Sequence, residues 1–92
     1  MNPSIEELLE AVENVPSDKV IILPNNSNVV LSAQQVVDLT EKEVYVVPSK
    51  TLPQGIAALL AFSYEADFDA NTKAMTRATQ QLVILTSDGA RP

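Results

Sequence analysis

Apolar positions change their period along the chain, and each change marks an element. Ile5, Leu8, Leu9 and Val12 recur at i, i+3, i+4 and i+7, one stripe of a helix about three turns long. Ser4 and Glu7 have the S-x-x-E spacing of a capping box at its start. Glu6, Glu7 and Glu10 face away from the stripe, near the positive end of the helix dipole. Asn14 and Pro16 end it. Val20-Ile21-Ile22-Leu23 is then a continuous apolar run, which predicts a strand covered on both faces, as in a parallel sheet. Pro24 stops it, and Pro24-Asn25-Asn26-Ser27-Asn28 is a polar turn in which Asn28 or Ser27 can cap the next helix.

That helix carries Val29, Val30, Ala33, Val36 and Val37 on one face, with Gln34, Gln35 and Asp38 outward. Its valines are weak helix formers, so tertiary packing must hold it. Val44-Tyr45-Val46-Val47 is a second run of the buried-strand type, closed by Pro48. Thr51 and Gln54 repeat the capping-box spacing, with Pro53 in the first turn of a helix. Gly55 to Phe62 is apolar nearly all round, which predicts a largely buried helix. Asp67 to Gln81 reads as a fourth helix, with Phe68, Met75, Ala78 and Leu82 inward. Leu82 to Leu85 is a candidate third strand, Thr86 to Gly89 a turn, and 86–92 a frayed tail.

Strands alternating with helices predict an α/β fold. The expected architecture is a small parallel sheet of two to three strands with helices on both faces. A helix precedes the first strand, so the pattern begins partway through. Residues 1–92 therefore read as one partial α/β domain, a fragment of a larger protein. There are no repeats and no internal linker.

Composition narrows the chemistry. The 92 residues include 12 acidic and 6 basic ones, a net charge of -6. With 46% hydrophobic residues the chain is too apolar for a disordered acidic tail. At this size about 60–65% of the unfolded surface can be buried, enough for a small core. The basic residues are scattered (Lys19, Lys42, Lys50, Lys73, Arg77, Arg91), which argues against nucleic acid as a partner. No apolar run reaches the roughly 18–20 residues of a membrane span. The acidic N-terminal segment is no secretory or transit peptide, and the expected compartment is the cytoplasm.

Without Cys or His, disulfides, zinc-thiolate sites, thiol catalysis and His-based triads all drop out. With two glycines, neither G-x-x-x-x-G-K nor G-x-G-x-x-G can occur. Asp67, Asp69 and Asn71 have the D-x-D-x-N spacing of a calcium loop. Thr72 stands where that loop needs Gly and Ala78 where it needs Glu, so the stretch reads as a carboxylate-rich helix start. Glu6, Glu7, Glu10 and Glu13 read as a solvated face, and Tyr45 and Tyr64 as packing residues. No metal site and no catalytic residue is assigned.

In an open α/β sheet, ligands sit beyond the carboxyl ends of the strands. Two loops fall there, Pro24 to Asn28 and Pro48 to Thr51, and both lead into helix N-termini that favour an anion. The candidate ligand-binding residues are Asn25, Asn26, Asn28, Ser49, Lys50, Thr51 and Gln54. Lys50 supplies a positive charge suited to a carboxylate or phosphate. The competing reading is that Asn, Ser and Thr are turn and cap residues and Lys50 is solvated.

The same segments carry a family resemblance. Met1-Asn2-Pro3-Ser4, Ile22-Leu23-Pro24-Asn25-Asn26-Ser27-Asn28 and Val47 to Leu60, which includes Pro53-Gln54-Gly55-Ile56-Ala57-Ala58-Leu59-Leu60, form an ordered set. It resembles the C-terminal domain of the bacterial fatty acid kinase large subunit, of the dihydroxyacetone-kinase-like family. The resemblance covers roughly residues 1 to 80. It implies a larger DegV-like α/β domain, with a strand ending in Gly-Gly-Gln-Thr before the Met-Asn-Pro-Ser segment. Leu82 to Pro92 departs from the family pattern.

The family's kinase domain lies far upstream, so ATP and Mg are implied only for the parent, and no cofactor for this chain. The implied role is non-catalytic: docking a fatty acid-binding DegV-like protein during acyl phosphate formation. The alternative is a small-molecule module that binds an acyl carboxylate or phosphate at the strand ends. An independent enzyme would need a carboxylate, Lys or Ser constellation, and none is paired in the sequence. Exposed sheet edges leave homo-oligomer formation open.

Overall fold

The computed structural model describes residues 3–81, 84–86 and 89–91. Its elements are α1 (Pro3–Asn14), β1 (Lys19–Ile22), α2 (Ser27–Val37), β2 (Glu43–Val46), α3 (Leu52–Ala61), α4 (Phe68–Gln80), β3 (Ile84–Thr86) and β4 (Gly89–Arg91). β1 and β2 pair in parallel, with Val20 opposite Val44 and Ile22 opposite Val46. A further bond from Val47 N–H to the Ile22 carbonyl, 3.0 Å, carries the pairing one residue beyond β2.

Alternation along the two strands separates the layers. Val20, Ile22, Val44 and Val46 pack against α1 and α2, with Ile5, Leu8, Leu9 and Val12 from the first helix and Val30, Ala33 and Val36 from the second. Ile21, Leu23, Tyr45 and Val47 face the other way, against Ala58 and Ala61 of α3 and Met75 of α4. The continuous apolar runs thus mean what they imply: both faces of the sheet are covered, in an α/β arrangement with helices on both sides.

Five sequence expectations are corrected. The candidate third strand does not extend the parallel sheet: Ile84–Thr86 pairs antiparallel with Gly89–Arg91 in a separate hairpin. That hairpin occupies part of the stretch expected as turn and frayed tail, while Leu82, Val83, Ser87, Asp88 and Pro92 lie outside the described residues. α1 begins at Pro3, so Ser4 sits inside the helix rather than at its cap. α3 is not largely buried. Only Gly55 and Ala58 of it are, because α4 and the sheet cover one side and nothing among the described residues covers the other. Tyr64 is no packing residue of the core: it is 96% exposed and touches Phe62 edge-on, 5.2 Å between ring centroids.

α4 buries a mixed stripe. Met75 is apolar, but Asn71, Thr72 and Thr79 are buried beside it. Asn71 replaces missing main-chain partners in the α3–α4 loop. Its Oδ1 accepts from Ser63 N–H at 2.9 Å, and its Nδ2 donates to the carbonyls of Ser63 (2.9 Å) and Ala66 (3.4 Å). Asp67 caps the helix, accepting from Ala70 N–H at 2.7 Å. The D-x-D-x-N stretch is therefore a capped helix start with a buried amide.

Candidate functional site

The loops after β1 and β2 meet at the carboxyl end of the sheet. Ser49, fully buried, donates its hydroxyl to the Pro24 carbonyl. The same carbonyl lies against α3: a Cβ built on Gly55 would stand 3.4 Å from it. One main-chain oxygen therefore joins the first loop to the second loop and to the first turn of the helix that follows it.

Asn26 caps α2, its Oδ1 accepting from Val29 N–H at 2.9 Å while its Nδ2 donates to Asn25 Oδ1 at 3.2 Å. The cap is therefore Asn26 and not Ser27 or Asn28: its extended backbone, φ -157°, ψ 163°, aims the side chain at the free amides. Thr51 caps α3, accepting from Gln54 N–H at 3.3 Å. The Gln54 side chain reaches back one residue further than a capping box requires. Its Oε1 accepts from Lys50 N–H at 2.7 Å, and its Nε2 donates to the Thr79 carbonyl in α4 at 3.1 Å.

These bonds sort the candidate residues. Ser49, Thr51, Gln54 and Asn26 hold the loops and caps in place. Asn25 and Lys50 are exposed. Asn28 lies elsewhere, in a shallow groove between α1 and α2 with Ser4, Glu7, Leu8, Val29 and Ser32. Asn25 instead borders an open apolar groove of roughly 200 Å³ between the first loop and α3, floored by Gly55 and walled by Leu23, Pro24, Leu52, Ile56 and Leu59.

The outer face of α3 continues that groove as exposed apolar surface. Leu52, Ile56, Leu59 and Leu60 are 51–80% exposed, and Phe62 and Tyr64 follow them. Scattered exposed leucines are ordinary, but a contiguous set on one helix marks an interaction surface. Among the described residues no group of three or more His, Cys, Asp or Glu side chains converges to hold a metal ion. Among the described residues no helix is long and apolar enough to cross a membrane.

Set beside known proteins, this arrangement has a family. The profile of the FakA-like C-terminal domain, from fatty acid kinase, matches residues 1–87. The chain belongs to that family. It is 46% identical over 82 residues to Protein YloV of Bacillus subtilis (strain 168), covering 89% of this chain and 15% of that one. It is 36% identical over 80 residues to a protein of Staphylococcus epidermidis (strain ATCC 12228 / FDA PCI 1200), covering 87% of this chain and 14% of that one. The same identity over 75 residues holds for a protein of Staphylococcus aureus (strain USA300), with shares of 82% and 14%. The chain thus spans about a seventh of the length of these relatives.

This member of the FakA-like C-terminal family also contains polar contacts that periodicity alone does not single out. Lys42 donates from Nζ to the carbonyls of Val12, Glu13 and Val15, at 2.9, 3.1 and 2.6 Å, closing the C-terminus of α1. Tyr45 and Thr76 bring their hydroxyls to 2.6 Å across the β2–α4 contact. The i, i+4 spacing of Lys73 and Arg77 in so acidic a chain is the one sequence signal for the α4 surface beside them.

Proposed function

We propose that the chain serves as the non-catalytic C-terminal domain of a fatty acid kinase. In this reading it is part of a larger DegV-like α/β domain and docks the fatty acid-binding DegV-like partner in the cytoplasm. The parent would carry out ATP-dependent phosphoryl transfer in its own kinase domain, where ATP and Mg belong. The observation that supports docking is the exposed apolar face of α3, from Leu52 through Leu60 to Tyr64. Interface cores are poor in charge and rich in large apolar and aromatic groups, and this face has that character.

The test is capture of the DegV-like partner by the full-length parent, with and without Ile56→Asp and Leu59→Asp. Loss of capture with an unchanged thermal midpoint supports docking through α3. Capture that persists at full strength rejects it. A lowered midpoint with capture intact would mean that another part of the parent covers this face.

One observation favours a second reading, a module for an acyl carboxylate or phosphate. The apolar groove along Ile56 and Leu59 ends at Asn25, beside the loop that carries Lys50. An acyl chain would lie in the groove with its head group toward Asn25 and Lys50. Saturable binding of a fatty acid to the isolated chain, abolished by Ile56→Asp, would favour this reading over docking.

A further inference from the structure

The side of α4 that flanks β2 has a chemistry unlike the rest of the molecule. Thr72, Lys73, Thr76, Arg77 and Gln80 line an open groove of roughly 400 Å³ together with Tyr45. The chain has a net charge of -6 and only 6 basic residues, yet two of them stand one helical turn apart here. Among the described residues no acidic side chain lines the groove. Lys73 and Arg77 repel each other at this spacing, and among the described residues no ion pair offsets them.

A hydroxyl donor adds to the two cations. Tyr45 and Thr76 share one hydrogen bond, 2.6 Å between oxygens, in which either can donate. Two hydroxyls carry two protons, and that bond uses one. The second has no acceptor among the described residues and is left for whatever enters the groove. Thr72, by contrast, is committed to the Asp69 carbonyl at 3.0 Å.

We propose that this groove binds a phosphate monoester. Arg77 can hold two of its oxygens with parallel N–H groups, Lys73 contributes the second positive charge, and the spare hydroxyl proton contributes a third donor. Two cations suit a dianion, and donors on separate elements suit a tetrahedral head group better than a planar carboxylate. The site shares no residue with the α3 groove, so it stands apart from the docking reading.

Titration of the labelled 92-residue chain, followed by amide NMR, tests the proposal. The probes are inorganic phosphate, glycerol phosphate, acetate at equal ionic strength, and phosphatidylcholine vesicles with and without phosphatidate. Phosphate and glycerol phosphate should give saturable shifts over 72–80, with acetate at least about tenfold weaker, as loss of one charge-assisted contact implies. The double variant Lys73→Gln/Arg77→Gln should lose saturation, and it should keep its fold because both side chains are exposed. The double variant Tyr45→Phe/Thr76→Val should weaken binding several-fold, since either hydroxyl alone still carries a free proton. Arg77→Lys should be intermediate, since charge stays and the bidentate contact goes. Equal shifts with acetate, wild-type affinity in Arg77→Lys, or no saturation with either soluble phosphate would overturn the proposal. Binding confined to phosphatidate vesicles would overturn a soluble ligand and assign the site to a lipid surface.

Discussion

The hydroxyl of Ser49 donates to the carbonyl of Pro24, bridging the two loops that leave the parallel strands. Both residues are buried, so the carbonyl has no water to replace a lost donor. Ser49→Ala should therefore destabilise the chain by about 1–3 kcal/mol, the cost of leaving a buried acceptor unpaired. A denaturant titration checks this, with a lowered midpoint and unchanged slope as the expected result. An unchanged midpoint would show that the bridge contributes nothing.

Asn71 should be sensitive to its own near-isostere. Asn71→Asp keeps the acceptor for Ser63 N–H but turns the donor end into an acceptor facing the carbonyls of Ser63 and Ala66. It should cost at least as much as Asn71→Ala, about 2–3 kcal/mol. Faster amide exchange at Ser63 in the alanine variant would localise the loss to the α3–α4 loop.

Lys42 acts as a cap supplied from another element. Its ammonium neutralises the carbonyl end of α1, and Thr40 adds a hydroxyl bond to Glu13 at 2.7 Å. Lys42→Met keeps the aliphatic stem and removes the donors, so about 1 kcal/mol should be lost. Hydrogen exchange should rise in the last turn of α1 and stay unchanged in α4.

Gly55 faces a size limit. Gly55→Ala places a methyl 3.4 Å from the Pro24 carbonyl, an ordinary contact. Better helix propensity, up to about 1 kcal/mol, should leave that variant at or above wild-type stability. Gly55→Leu has no room in the same direction and should fill the α3 groove. Thermal melts of the two variants should diverge in sign.

Leu59→Asp removes an exposed apolar group, 60% accessible in the structure. Its melting midpoint should match wild type, because surface changes of this kind fall within about 0.5 kcal/mol. Any concentration-dependent self-association of the chain should fall, which sedimentation velocity would register.

Much of this arrangement was legible along the chain, and the exceptions have physical causes. The unbroken runs Val20–Leu23 and Val44–Val47 announced a sheet covered on both faces, and the structure splits them between two helical layers. α3 misled because a helix apolar all round looks the same whether its second face meets its own chain or something else. Asn26 was hidden among neighbouring candidates for one cap, which only backbone dihedrals separate. Lys42, Asn71 and the Tyr45–Thr76 pair act across 5 to 31 residues of sequence, and local pattern carries no trace of such meetings.

The narrowness of the parallel sheet bears on how the molecule comes apart. Each strand has four residues, and alternate side chains serve opposite helical pairs. α1 with α2, and α3 with α4, are thus joined through a seam a single strand pair wide. Damage at Val46 loosens the first pair and damage at Val47 the second, while rupture of the seam parts them. Unfolding need not then be a single event: probes placed in α1 and in α4 should report separate midpoints once the seam is weakened, as two cooperative units would.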